Sequence, residues 1–173
     1  VKKILKLKNP RLLVLLLLFW AVFFYGFKFY RVEGESMNPT LEDERIILAN
    51  KVFYKIAEPE RGDVVLISTS SGLLVKRIMG LSGEKIQIVN GYIFVNDILI
   101  NDKFKNERVS LLLVDENEKP LRNWETDGLI YEYVTEKPIT LKKGQIFVIG
   151  DNRGISWHGV TKKENIIGKI MFH

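Results

Sequence analysis

Cysteine is absent from this chain of 173 residues, which excludes disulfide scaffolds, thiol nucleophiles and cysteine-ligated zinc or iron–sulfur centres. Histidine occurs only at His158 and His173, so a multi-histidine metal site is not expected and no cofactor is called for. No acidic residue precedes Glu33, whereas Lys2, Lys3, Lys6, Lys8, Arg11, Lys28 and Arg31 all fall before Val32. From Val32 onward 19 basic residues meet 21 acidic ones, so the formal charge of +5 belongs to the N-terminal segment alone. A basic groove for a phosphate backbone is therefore not supported, and nucleic acid is not an expected partner. Long helical periodicity is also lacking beyond the first thirty residues, as are repeats and low-complexity tracts.

One long apolar run is present. Leu12 to Phe27 reads LLVLLLLFWAVFFYGF without a charge, and the run extends to Tyr30. Nineteen residues of helix would measure about 28 Å, close to the ~30 Å hydrocarbon core of a bilayer. A removed secretory signal would share the basic start, but no A-x-A-like triplet follows. The expectation is a retained anchor over 12–30 that engages the lipid bilayer. The basic residues of 1–11 place the N-terminus in the cytoplasm and 31–173 outside the plasma membrane, as a single-pass protein.

Beyond the anchor the chain reads as strands. Arg45–Tyr54, Asp63–Thr69, Leu73–Met79, Lys85–Val89, Tyr92–Val95 and Gln145–Ile149 are short and rich in β-branched and aromatic residues. Glycine-bearing turns separate them, and Asn90-Gly91 predicts a two-residue hairpin. The stretch 96–138 is more polar and less regular, and reads as a variable insertion or subdomain. The fold class expected is mainly β, a β-sheet core preceded by one transmembrane helix.

Three segments carry chemistry-bearing residues: Gly34-Glu35-Ser36-Met37-Asn38-Pro39-Thr40, Leu74-Val75-Lys76-Arg77-Ile78-Met79-Gly80, and Gly150-Asp151-Asn152-Arg153. Separately they read as a polar turn, a strand with an outward-facing lysine, and a β-turn. In order, and with Arg61-Gly62-Asp63-Val64 and Gly80-Leu81-Ser82-Gly83-Glu84 between them, they resemble the boxes of type I signal peptidases. Those are membrane-bound Ser/Lys proteases that remove signal peptides from exported proteins. The resemblance runs from Leu12 to Lys169 and is weakest over 96–138. The small size and the glycine at 34 look like Gram-positive members.

The resemblance implies Ser36 as nucleophile and Lys76 as general base, a role for which no plausible histidine competes. A lysine at its ordinary pKa of about 10.4 is protonated at neutral pH, so it must be desolvated to act. Leu74, Val75, Ile78 and Met79 offer apolar surroundings. By the same resemblance Ser156 orients Lys76, and Asp151, Asn152 and Arg77 support the site. The Ser36 amide would donate to the oxyanion, where one donor is typically worth ~2.7–4 kcal/mol. Some members carry a hydroxyl two residues before the nucleophile; here that place in the oxyanion-hole region is Gly34. Tyr30, Val32, Met37 and Val75 would line the substrate pockets.

The family commonly continues Ser-x-Asp-Ser-Arg after the last box, whereas this chain has Ser156-Trp157-His158-Gly159-Val160. The departure suggests a specialised paralogue, and adds secretion or pilus-assembly machinery to the expected partners beside signal peptides. His158 as a substitute base is the minor reading; a surface-loop histidine is the simpler one. Two other functions compete: an accessory protein that binds exported or pilus precursors without cutting them, and a self-cleaving Ser/Lys repressor. The latter needs a DNA-binding domain for which this chain has no room.

Overall fold

The computed structural model describes residues 10–70, 72–89, 92–100, 138–153, 156 and 158–171. Its first element is helix α1, Pro10–Gly26, of 17 residues and so about 26 Å. The expected anchor of 12–30 is therefore too long as a helix. Phe27–Arg31 leaves it as strand β1 and pairs antiparallel with β2, Ile46–Asn50. The switch comes at Gly26, whose carbonyl accepts the Lys51 amide at 2.7 Å. Once Phe27 to Arg31 can complete a ladder with IILAN, their β-favouring aromatics outweigh continuation of the helix. Among the described residues no helix is long and apolar enough to cross a membrane.

Strand Arg45–Tyr54 also ends earlier than expected. Asn50 Oδ1 accepts the amides of Val52 and Phe53, each at 3.1 Å, which turns the chain into the one-turn helix α2, Phe53–Ile56. The next strands lie close to their expected bounds: β3 Val64–Thr69, β4 Gly72–Gly80, β5 Lys85–Val89 and β6 Tyr92–Val95. Val89 pairs with Tyr92, so β5 and β6 form a hairpin closed by two residues, which themselves lie outside the described set. Then follow β7 Ile98–Leu99, β8 Ile139–Thr140, β9 Gln145–Ile149, β10 His158–Lys162 and β11 Ile166–Ile170. Most of the expected insertion, 101–137, lies outside the described residues, as does the basic stretch 1–9. Asn96 and Asp97 both have positive φ and form the tight turn from β6 to β7.

Two antiparallel sheets result. The larger has the order β1-β2-β11-β3-β4-β9-β10 and the smaller β7-β6-β5-β8. Along β3 the side chains alternate: Val64 and Leu66 join Val32, Met37, Leu41, Ile47, Ala49 and Ile170 on one face, while Val65 and Ile67 join Ile78, Ile146 and Val148 on the other. A third cluster binds the two sheets, with Met79, Phe147 and Ile149 meeting Ile86, Ile93 and Val95. Strands β3, β4 and β9 are thus covered on both sides. Their central position makes them a rigid support for side chains mounted on β4 and just past β9.

Candidate active site

Strand β4 carries Lys76 and Arg77, and β9 runs antiparallel beside it with Ile149 opposite Arg77. Gly150 to Arg153 therefore emerge next to Arg77. The loop from β1 to β2 lies against this turn: Ser36 O accepts the Asn152 amide at 3.1 Å, and Glu35 O accepts Asn152 Nδ2 at 3.1 Å. Two segments more than a hundred residues apart are locked together by one asparagine.

Lys76 Nζ lies 3.0 Å from Ser36 Oγ and 3.0 Å from Ser156 Oγ. Its side chain is only 2% exposed, contrary to the outward-facing alternative that strand alternation allows. Both faces of β4 are covered here, so alternation does not bring the lysine to water. Desolvation is the main cause that pushes its pKa down to about 8; the Arg153 guanidinium lowers it further, against the opposing pull of the Asp151 carboxylate. Near pH 8 a large fraction of the amine is thus neutral. A neutral amine has one lone pair and two N–H donors, so it can accept from one hydroxyl and donate to the other.

Arg77 and Asp151 form a two-pronged pair, with Nε to Oδ1 at 2.8 Å and Nη2 to Oδ2 at 2.6 Å. Arg77 Nη1 also donates to Gly62 O at 2.7 Å, which ties in the turn before β3. Asp151 is fully buried and Arg77 nearly so, which makes the pair a brace beneath the lysine rather than a surface ion pair. Arg153, buried as well, donates through Nη1 to Gly150 O.

The oxyanion-hole region and the expected pocket residues lie around Ser36 and Lys76. Gly34 lies in the left-handed region at φ 85°, and its amide is held by Asp43 Oδ1 at 2.8 Å. That amide is therefore occupied, whereas the Ser36 N–H makes no hydrogen bond to any described residue. Tyr30, Val32, Met37 and Val75 do meet in a single cluster. Val32 and Met37 are buried within it, and Tyr30 and Val75 stay partly accessible. His158 is not in a surface loop. It sits on β10 opposite Ile149, with its ring 6.1 Å from that of Phe147. Burial pushes its pKa down to about 4, and Arg153 and Lys76 lower it too, so it is neutral at physiological pH.

One contact that motif reading did not weigh is at Gly150. A Cβ built there would lie 2.6 Å from Ser156 Cβ and deep inside the contact distance of Ser156 Oγ and Ser36 O. Only a residue without a side chain lets the three segments close up. The signal in the sequence was a glycine directly after a buried strand.

By fold and site, the protein belongs to the class of antiparallel β chains in which a loop serine rests against a buried lysine. The sequence pattern of the signal peptidase family, peptidase S26, matches residues 6–173. A signal peptidase I of Bacillus caldolyticus is 34% identical over 153 residues, which cover 86% of this chain and 79% of that one. Signal peptidase IB of Staphylococcus aureus strain COL is 29% identical, over 83% and 75% of the two chains. A crystal structure of a signal peptidase I from Enterococcus faecalis V583 overlaps 67% of this chain and 99% of its own, at 22% identity and a TM-score of 0.45. This chain belongs to the signal peptidase family, peptidase S26, and is a serine endopeptidase of the signal peptidase I type.

Proposed function

We propose that the protein is a membrane-anchored enzyme that removes signal peptides from exported preproteins, with Ser36 as nucleophile and Lys76 as general base. The observation that carries this reading is the 3.0 Å approach of a buried amine to a serine hydroxyl.

The chemistry follows from the protonation state. Neutral Lys76 accepts the Ser36 proton as Oγ attacks the scissile carbonyl carbon, while Ser156 Oγ accepts an N–H and keeps the lone pair aimed at Ser36. The Ser36 amide donates to the oxygen that becomes negative. The ammonium of Lys76 then gives its proton to the leaving amine, the C–N bond breaks, and an ester on Ser36 remains. Water, deprotonated by Lys76, attacks that ester; the carbon–Oγ bond breaks, and Lys76 returns the proton to Ser36 Oγ. Asp151, Asn152 and Arg77 act by holding these groups in place. Tyr30 and Val75, which stay partly accessible, form the proposed wall of the substrate pocket, with the buried Val32 and Met37 behind them.

The proposed anchor is the apolar segment around Pro10–Gly26. Leu12 to Leu18 are 40–62% exposed, an arrangement suited to lipid rather than water. At about 26 Å the described helix falls short of the ~30 Å hydrocarbon core, so the proposed anchor requires local thinning of the bilayer and snorkelling by Arg11 and Lys28. The basic residues before it favour a cytoplasmic N-terminus and an outer catalytic domain. Signal peptides, themselves held in the bilayer, would then share a membrane with Ser36, which raises their effective concentration.

The test uses the purified full chain in detergent with a synthetic preprotein peptide. The expected result is one cut at the signal junction by the native chain and none by Ser36→Ala or Lys76→Ala. Cleavage that survives Ser36→Ala overturns the assignment; tight peptide binding without any cleavage would instead favour the accessory, non-cutting role.

A further inference from the structure

A cavity of about 980 Å³ opens at the end of β9 opposite to Gly150, roughly 17 Å along the strand from the site. Lys51, Lys55, Lys142, Lys143, Lys162 and Lys163 line it, against Glu164 as the only carboxylate among the described residues of its wall. Lys162 is paired with Glu164, and Lys163 with Glu58 outside the lining. Lys51, Lys55, Lys142 and Lys143 have no ion pair among the described residues. Four separate segments bring these cations together: the turn after β2, helix α2, the turn before β9 and the end of β10. The Lys163 amide bonds to Gly144 O at 2.7 Å, so two of the segments are fastened to each other. Lys51, Lys55, Lys142 and Lys143 add repulsion that no carboxylate among the described residues offsets by pairing with them.

The cavity's position selects the ligand. Tyr25, one residue before the end of α1, belongs to its wall, and Lys51 Nζ lies 6.0 Å from the centre of that ring. Tyr25 is 80% exposed, and Ile56, next to Lys55 at the end of α2, is 90% exposed. Bare cations beside bare apolar groups at the exit of an apolar helix match the boundary of a bilayer, where phosphates lie outside and acyl chains inside. A soluble anion would use the lysines but leave Tyr25 and Ile56 unexplained. We propose that this cavity binds the phosphate headgroups of anionic phospholipids in the leaflet around the exit of α1, with Tyr25 and Ile56 dipping toward the acyl region. The inference rests on the membrane-anchored reading above, and fixes how the catalytic domain sits on its membrane.

The experiment is native mass spectrometry of the full chain released from detergent micelles that contain equal amounts of phosphatidylglycerol and phosphatidylcholine. The native chain is expected to retain phosphatidylglycerol at least tenfold over phosphatidylcholine, since each lysine near an anionic surface contributes on the order of fivefold. Lys55→Glu/Lys142→Glu/Lys143→Glu, three exposed positions, is expected to lose that preference while still cutting peptide in detergent. Lys85→Glu in the small sheet should keep it. Equal retention of both lipids, an unchanged preference in the triple variant, or displacement of the lipid by millimolar inorganic phosphate overturns the proposal; the last result would mark a soluble-anion site. Carbonate extraction of native membranes reports the anchor separately. A chain that resists extraction but shows no lipid preference refutes this inference alone, whereas a chain released by carbonate refutes the anchor.

Discussion

Lys76 Nζ and Ser36 Oγ stand 3.0 Å apart although forty residues separate them in the chain. The contact is set from three directions. Strand β4 fixes the lysine backbone between β3 and β9, Asn152 holds the Ser36 loop by its carbonyls, and Ser156 takes the second approach to the amine. A flexible four-carbon side chain is thereby held with its amine between two hydroxyls, which lowers the entropy cost of reaching the reactive geometry.

The first prediction concerns pH. If the free enzyme must hold Lys76 neutral, kcat/KM falls tenfold per unit below about pH 8, the value to which burial has pushed the amine. Lys76→Arg, always charged, should lower turnover by a factor on the order of 10³ or more with little change in fold. Stopped assays from pH 5 to 10 read the limb directly. An acidic limb near pH 5, or one that persists in Lys76→Arg, removes the lysine from the role of base.

The same buried amine has a cost in stability. Its pKa is lower in the folded chain than in the unfolded one, so between pH 10.5 and 8 the unfolded state binds the extra proton. Folding stability is full above pH 10.5 and falls as pH drops through 8, by on the order of 3 kcal/mol in total. Lys76→Met keeps the volume and removes the charge, at the expense of the hydrogen bonds to Ser36 and Ser156. Its melting temperature should exceed that of the native chain by a few degrees at pH 7, and the gain should vanish near pH 10.5. Thermal melts at the two pH values decide it; a variant less stable at pH 7 would contradict the proposed desolvation.

His158 gives a third test, at acid pH. Its folded pKa near 4 lies below the ordinary 6.5, so the unfolded chain again takes up the proton first. Stability is fully present above pH 6.5 and is lost as pH falls toward 4. His158→Gln should flatten that loss, seen in urea midpoints at pH 7 and pH 4.5, while leaving the alkaline activity unchanged. If the catalytic limb near pH 8 disappears in His158→Gln, histidine rather than lysine is the base.

Much of this was legible in the residues. β3, β4, β5, β6 and β9 were visible because runs of β-branched residues end at glycine turns, and the Ser36, Lys76 and Gly150–Arg153 boxes stood out in order. β1 was hidden because Phe27, Phe29 and Tyr30 continue the apolar run of the helix, and Lys28 among them reads equally well as the snorkelling end of a span. β10 and β11 were missed because Gly159 and Gly168 interrupt them. At Gly168 the glycine serves packing, since a Cβ would come within 2.7 Å of Asn50 O on the neighbouring strand. The cover over both faces of Lys76 depends on long-range packing, which no local pattern encodes, and the capture of the Gly34 amide by Asp43 depends on how the loop from β1 to β2 folds on itself.

The fourth prediction separates closeness from charge at Gly150. Gly150→Ala keeps every titratable group, yet its methyl must displace Ser156 or Ser36. Overpacking of this kind typically costs ~1–3 kcal/mol, and a 1 Å displacement at the reacting atoms can cost on the order of 100-fold in rate. The expected outcome is a folded protein with kcat reduced about 100-fold or more and KM little altered. Native kcat in Gly150→Ala would mean that Ser156 has no part in orienting the lysine.

The last prediction addresses the brace beneath the lysine. Asp151→Asn leaves Arg77 buried without its carboxylate, and breaking one side of a buried pair typically costs ~3–5 kcal/mol. It also removes the group that holds the Lys76 pKa up, while Arg153, which lowers it, stays. In the fraction that folds, the acidic limb of kcat/KM should therefore move below pH 8 even as stability drops. Arg77→Lys supplies the contrast: a single ammonium cannot reach both carboxylate oxygens and Gly62 O together, so stability falls while the limb stays near pH 8. Urea unfolding together with pH profiles of both variants checks the pair. A limb that does not move in Asp151→Asn would show that desolvation by the surrounding β-sheet core sets the lysine's protonation by itself, with Asp151 acting on geometry only.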